Sequence, residues 1–252
     1  MVVDERRREY LRLLGVEALE PRDDGPLAPS PAPSPAAAPS PAAGLSPAAG
    51  PSAGPVAGPC AGDDWEALAR RVRSCTACDL AATRTQTVFG VGDHGARWML
   101  IGEAPGAEED RQGLPFVGRA GQLLTSMVRA TGWSRDQVFI ANILKCRPPN
   151  NRDPRPEEVA HCEGYLHRQV ALLRPAVILC LGRIAAQNLL KVEAPLKALR
   201  GRTHSYGPAG TPVVVTFHPA YLLRNPADKR RAWEDLRLVL RLLEEAGERA
   251  GA

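Results

Sequence analysis

The sequence predicts an α/β fold, a three-layer αβα arrangement around a mostly parallel central sheet of four strands, and three observations carry that prediction. Four short apolar runs, at 98–101, 138–144, 176–181 and 213–217, have the length and composition of strands buried on both faces. Helical patterns lie over 118–130, 156–173 and 227–245, the last placing Trp233, Leu236, Leu240 and Leu243 along one side. The two kinds of element alternate along the chain, which is the order of βα units whose helices cover both faces of a sheet.

The N-terminal quarter lacks this pattern. Residues 4–16 (DERRREYLRLLGV) can form an amphipathic helix with Tyr10, Leu11 and Leu14 near one face, so a helical arm is expected over 1–20. Residues 21–62 are mainly Pro, Ala, Ser and Gly and hold 12 of the chain's 24 prolines, a composition that orders poorly and reads as a linker. Cys60 falls inside this stretch and is read as incidental. The folded domain is expected over 63–252, opening with a helix capped by Asp63 or Asp64 and running through Arg73. Pro156 suits the first turn of the helix over 156–173.

With 252 residues, 44% of them hydrophobic, the chain has apolar material for one sizeable core. The net charge is +4, and residues 63–252 hold 27 Lys/Arg against 21 Asp/Glu, a balance compatible with an anionic partner. No apolar run of the roughly 18 residues needed to cross a bilayer is present, and the start, Met1-Val2-Val3-Asp4-Glu5-Arg6, lacks the layout of a secretion signal. A cytoplasmic monomer without membrane contact is therefore expected. Thiols in that compartment stay reduced, so the six cysteines argue for metal binding or burial rather than disulfides.

Ligands of parallel sheets bind at the carboxyl ends of strands. Gly102-Glu103-Ala104-Pro105-Gly106 follows the first strong strand, Asn142 lies near the end of the second, and His218-Pro219 follows the fourth. Each has a bland reading alone: a Gly-Pro loop turns the chain, a buried Asn satisfies backbone, a lone His is structural. Their shared placement on one edge predicts a site. Gly90-Val91-Gly92-Asp93-His94-Gly95 fits G-x-G-x-x-G, but it precedes a strand and no helix follows directly, so it is a glycine turn and not a dinucleotide site. Neither a phosphate-binding G-x-x-x-x-G-K-[ST] nor a G-x-S-x-G elbow occurs.

Cys75 and Cys78 form a C-x-x-C pair, while Cys146 and Cys162 stand singly downstream. A structural zinc site usually brings two closely spaced pairs, so four thiolates gathered from separated elements suit an iron–sulfur cluster better than zinc, which stays open. Cys180, within Val177-Ile178-Leu179-Cys180-Leu181, reads as a small core residue.

Five ordered motifs carry a specific resemblance: Cys75-Thr76-Ala77-Cys78; Gly102 to Asp110 (GEAPGAEED); Leu114 to Gly121 (LPFVGRAG); Asn142 to Pro149 (NILKCRPP); and His218 to Arg224 (HPAYLLR). Together they resemble the family 4 uracil-DNA glycosylases, collinearly from about Trp65 to Glu245. The resemblance implies a [4Fe–4S] cluster on Cys75, Cys78, Cys146 and Cys162, a four-stranded parallel sheet with flanking helices, and removal of uracil from DNA.

It also implies roles. Uracil must be extruded from the duplex before chemistry, at a cost of a few kcal/mol. Phe116 would stack on the flipped base, and the Asn142 amide would donate to O4 and accept from N3–H, a pattern cytosine reverses. His218 would donate to O2 as the N1–C1′ bond breaks, helped by backbone N–H groups near Glu103 and Ala104, with Pro105 of the same loop against the base. Leu222 or Leu223 would fill the gap left in the stack, and Arg224 would meet a phosphate. The best-known uracil glycosylases carry a water-orienting Asp at the position of Ala104, so Glu103 is the candidate for water positioning or oxocarbenium stabilisation here and Glu109 for lining the C5 side of the base, the bland reading being that both only hold the loop. A cross-linking branch of the family carries a His-bearing loop that residues 148–160 lack, which favours simple turnover. The arm is a candidate tether for a repair partner. The rival readings are a non-catalytic nucleic-acid-binding module with a structural metal, and a redox enzyme, for which no flavin or nicotinamide motif is present.

Overall fold

The computed structural model describes residue 60 and residues 62–251, all within the unit Ala53–Ala252. The expected arm over 1–20 and the expected linker as far as residue 59 lie outside the described residues. One sheet contains β1 (Val91–Gly92), β2 (Trp98–Gly102), β3 (Phe139–Asn142), β4 (Val177–Leu181), β5 (Thr203–Tyr206) and β6 (Thr211–Thr216), in the spatial order β1-β3-β2-β4-β6-β5. The helices are α1 (Trp65–Arg73), α2 (Leu80–Thr83), α3 (Ala107–Gln112), α4 (Arg119–Ala130), α5 (Pro156–Leu173), α6 (Arg183–Leu190), α7 (Leu196–Leu199), α8 (Pro219–Arg224) and α9 (Lys229–Gly251).

The four expected strands are β2, β3, β4 and β6, and all three of their pairings are parallel. Every residue of β2, β3 and β4 is buried, as coverage of both faces requires. Met99, Ile101, Ala141, Ile178 and Val213 share one core with Leu166, Val170 and Leu173 of α5 and Ala185 and Leu189 of α6. Alternate strand residues point to the opposite face, where α9 packs against β4 and β6 and buries Leu236 and Val239.

The sheet exceeds the four-stranded expectation at its two edges. β1 and β5 pair antiparallel with β3 and β6, and neither carries an apolar run: β1 has two residues, and β5 reads Thr-His-Ser-Tyr with alternating exposure. The glycine motif over 90–95 supplies β1 as well as a turn. Gly92, at φ 133°, lies so close to β3 that a Cβ would stand 1.8 Å from the Val138 carbonyl oxygen.

Local capping explains the helix starts. Asp64 accepts from Ala67 N at 2.8 Å and so caps α1, while Asp63 is taken up by Arg71. Pro156 occupies the first turn of α5, where Glu158 accepts from Arg155 N at 2.8 Å. Cys60, at the end of the expected linker, is 2% exposed, and its carbonyl accepts from Asp63 N just before α1.

Candidate active site and thiol pocket

The parallel register sets the ends of β2 and β3 level, with Gly102 opposite Asn142, and the chain continues the pairing as Ile143 N donates to Gly102 O and Leu144 N to Glu103 O. β4 and β6 end level in the same way, and the residues that follow, Gly182 and His218, meet: a Cβ on Gly182 would stand 3.0 Å from His218 Cβ. Four strand ends thus deliver the polar loops to one edge.

Gly102 is the centre of the arrangement. A Cβ there would lie 2.4 Å from Asn142 Oδ1 and 2.6 Å from Phe116 Cζ, so the amide and the ring crowd the same bare Cα. The rings of Phe116 and His218 stand 5.8 Å apart at 35°. Asn142 is 2% exposed, and its Oδ1 is buried with no hydrogen-bond partner among the described residues, a state that costs free energy unless a ligand donor meets it. Phe116 adopts φ 53°, the left-handed region, at a cost of about 1 kcal/mol for a non-glycine residue.

What holds Phe116 there is Glu109. One carboxylate oxygen accepts from Gly106 N at 3.1 Å, and the other accepts from Val117 N and Gly118 N at 2.9 and 3.1 Å. The candidate for the C5 side of a base therefore commits both oxygens to backbone and clasps the Ala104-Pro105-Gly106 loop to the Phe116 loop. Arg135 braces the same loop by donating to Pro115 O.

His218 accepts from Ala220 N through Nδ1 at 3.2 Å, which leaves Nε2 as the protonated nitrogen. Burial, reinforced by the charge of Arg224 and opposed by Glu109, lowers its pKa to about 4, so near neutral pH the ring is an uncharged donor. Its loop is fixed from behind, where Phe217 stacks on Tyr221 and carries the Arg200 guanidinium 4.0 Å from its centroid. Burial, with a contribution from Asp153 and opposition from Arg183, raises Glu103 to about 7.

Of the two wedge candidates the structure separates one from the other. Leu222 is 1% exposed and lies in the core where α8 packs on α4, so it cannot enter a base stack without leaving its packing. Leu223 is 40% exposed. Arg224 is exposed, and no ion pair is formed by it among the described residues.

The four singled-out cysteines line one separate pocket together with Arg84, Lys145 and Tyr165. All are free thiols. Arg84 donates to Cys146 Sγ at 3.1 Å and the Lys145 main chain to Cys162 Sγ at 3.2 Å, so donors already face two of the sulfurs. Burial pushes Cys162 up to about 12 and Cys146 upward, against the pull of Lys145 and Arg84 respectively. Among the described residues no three His, Cys, Asp or Glu side chains converge tightly enough for a single ion. Four cysteines brought to one pocket from separate segments are a donor set that a thiolate-bound metal centre could use. Cys180 is a fully buried core residue, as expected.

Several supporting residues carry no motif signal. Asp110 is buried and accepts from Thr85 N at 2.9 Å, tying the segment after the cysteine pair to α3. Lys145 is 1% exposed and donates through Nζ to Asn142 O and Gln169 Oε1 at 2.9 and 2.7 Å. The visible hint was a lysine set in Asn142-Ile143-Leu144-Lys145-Cys146, between two residues already singled out.

Comparison with known proteins settles the family. The sequence model of the uracil DNA glycosylase superfamily matches residues 89–237. The chain belongs to that superfamily. It is 44% identical over 178 residues to the type-4 uracil-DNA glycosylase of Archaeoglobus fulgidus, covering 68% of this chain and 89% of that protein. Against the type-4 uracil-DNA glycosylase of Thermotoga maritima it is 43% identical over 182 residues, 72% of this chain and 92% of the other. Identity to the type-5 uracil-DNA glycosylase of Pyrobaculum aerophilum is lower, 33% over 165 residues, 60% of this chain and 72% of that one. Within the superfamily the chain sides with the type-4 members.

Proposed function

We propose that this protein is a uracil-DNA glycosylase, which extrudes uracil from DNA, hydrolyses its N-glycosidic bond and releases free uracil, leaving an abasic site for base excision repair. The observation that carries this reading is the buried, unpartnered Asn142 Oδ1 that meets the Phe116 ring over the bare Cα of Gly102, with the His218 imidazole 5.8 Å from that ring.

Asn142 Oδ1 accepts from uracil N3–H while its amide nitrogen donates to O4; cytosine has no proton at N3 and a donor at C4, so it leaves the amide mismatched. Phe116 packs on the base face. As the N1–C1′ bond lengthens, negative charge grows on O2, and the neutral His218 meets it with Nε2–H. Its pKa, lowered to about 4 by burial, keeps the ring an uncharged donor near neutral pH. Glu103 positions the attacking water and faces the positive charge developing on the sugar, with its carboxylate form gained as pH passes about 7. Leu223 fills the gap in the stack and Arg224 meets a phosphate.

Cys75, Cys78, Cys146 and Cys162 hold a [4Fe–4S] cluster in this reading, supported by four cysteines from separated segments around one pocket, one close pair and two singletons rather than the two close pairs usual for structural zinc. When bound, the cluster supplies metal–thiolate bonds that cross-link three distant segments of the chain. Residues 63–252 form the glycosylase domain, residues 1–20 an arm able to tether a repair partner, and 21–62 a linker; the protein works in the cytoplasm as a monomer. No helix of the described residues is long and apolar enough to cross a membrane.

The test is excision from labelled oligonucleotides carrying U·G, U·A, single-stranded U or T·G. Release of uracil from the first three and none of thymine is expected; no release from any uracil substrate overturns the reading.

A further inference from the structure

We propose that Lys145 is a positioning residue that ties the base-reading Asn142 to the cysteine centre, so that the charge of that centre sets how firmly the pocket holds uracil. The inference rests on the reading of Asn142 given above and adds a residue to which no role has been assigned.

Lys145 is three residues after Asn142 and one before Cys146. It is one of the largest fully buried side chains in the protein, and each of its polar groups spans a different element. Nζ donates to the Asn142 carbonyl at the tip of β3 and to Gln169 on α5. Gln169, itself fully buried, is aimed by its own amide, which donates to Phe89 O at 2.9 Å. The Lys145 main chain donates to Cys162 Sγ, and its carbonyl accepts from Val88 N at 2.8 Å.

No carboxylate pairs with this ammonium among the described residues, and both of its acceptors are neutral oxygens. A buried cation is costly without a counter-charge. Burial lowers the pKa of Lys145 to about 8, opposed first by Cys162 and then by Cys146, so the cysteine sulfurs are the charges that favour the lysine's protonated form. Lys145 is then the counter-ion of the centre and the anchor of the Asn142 backbone together. Because the side chain of Asn142 projects from that anchored backbone beside Gly102, loosening the carbonyl loosens the amide that faces the base.

The experiment compares wild-type protein with Lys145→Met and Lys145→Gln, each as iron-loaded full-length chain. Affinity is read by anisotropy with duplexes carrying non-cleavable 2′-fluoro-deoxyuridine or none, and the centre's reduction potential by visible absorption. Lys145→Met should weaken the preference for the uracil analogue by about tenfold or more, the worth of a hydrogen bond to a charged group, with binding to undamaged duplex unchanged. Lys145→Gln, which keeps a donor but not the charge, should lose less preference. Both should move the potential to more negative values, since removing a nearby positive charge disfavours reduction. Should Lys145→Met not fold, Gln169→Leu strips the ammonium of its second acceptor and should move the preference the same way. Folded, iron-loaded variants with wild-type preference and potential overturn the proposal. A wild-type protein that does not prefer the analogue over undamaged duplex instead overturns the reading of Asn142, and a wild-type centre without iron overturns the cluster.

Discussion

Asn142 and Cys146 are four residues apart, yet they end in regions built on opposite principles. At the active-site edge polar capacity is left open: Asn142 Oδ1 has no partner among the described residues, Phe116 sits at φ 53°, and His218 and Glu103 are shifted toward their uncharged forms. In the thiol pocket capacity is already engaged, with Arg84 on Cys146 and the Lys145 main chain on Cys162. Strain and unmet hydrogen bonds belong where a ligand comes and goes, since binding relieves them. Satisfied sulfurs belong where the occupant stays. The difference marks the first region for turnover and the second for scaffold.

Substitutions should split along that line, and the largest effect falls on the open side. His218→Ala should slow single-turnover excision by about 10²–10³-fold with little change in melting temperature, because it removes a donor to developing charge. Near-wild-type excision would erase the distinction. Glu103→Gln should slow excision by at least about tenfold at alkaline pH and abolish a pH dependence that the wild type should show. Glu103, with its pKa raised to about 7, is protonated below that pH, so activity should climb as pH rises through about 7 and then level. The His218 ring, held to about 4, should become charged and lose its role only in acid. A profile without the limb near 7 removes Glu103 from the chemistry.

Smaller effects sharpen the comparison. Cys78→Ser should lose iron and visible colour and melt earlier, with any fall in excision following the loss of fold; a colourless variant with wild-type stability would mean the pocket holds nothing together. Leu222→Ala should cost about 2–5 kcal/mol of stability in urea unfolding, whereas Leu223→Ala should leave stability intact and weaken excision from duplex more than from single strands. Arg224→Gln should have the least effect, lowering the slope of log affinity against log salt by about 1 without changing base preference.

How much of this was legible beforehand depended on whether the determining physics is local. The central strands were legible because strands covered on both faces must be apolar throughout, and 98–101 and 176–181 are. The edge strands were not, since β1 takes only Val91 and Gly92 and β5 is polar; their pairing comes from neighbours distant in sequence. The convergence of Gly102, Asn142 and His218 followed from strand ends. The choice between Leu222 and Leu223 did not, because it depends on how α8 docks against α4. The burial of Cys60 was not legible either, because its Pro- and Gly-rich surroundings carry no apolar period. Glu109 carried two readings, the C5 side of the base and a hold on the loop; its motif could not show that three backbone N–H groups engage both carboxylate oxygens.

The bare Cα of Gly102 has one more consequence. Alanine is elsewhere the mildest of replacements, yet at this position its methyl would stand where the amide and the ring already meet, a stopper in the mouth of the base-receiving slot. Such a variant should admit no nucleobase, so uracil release should vanish while binding to undamaged duplex is kept.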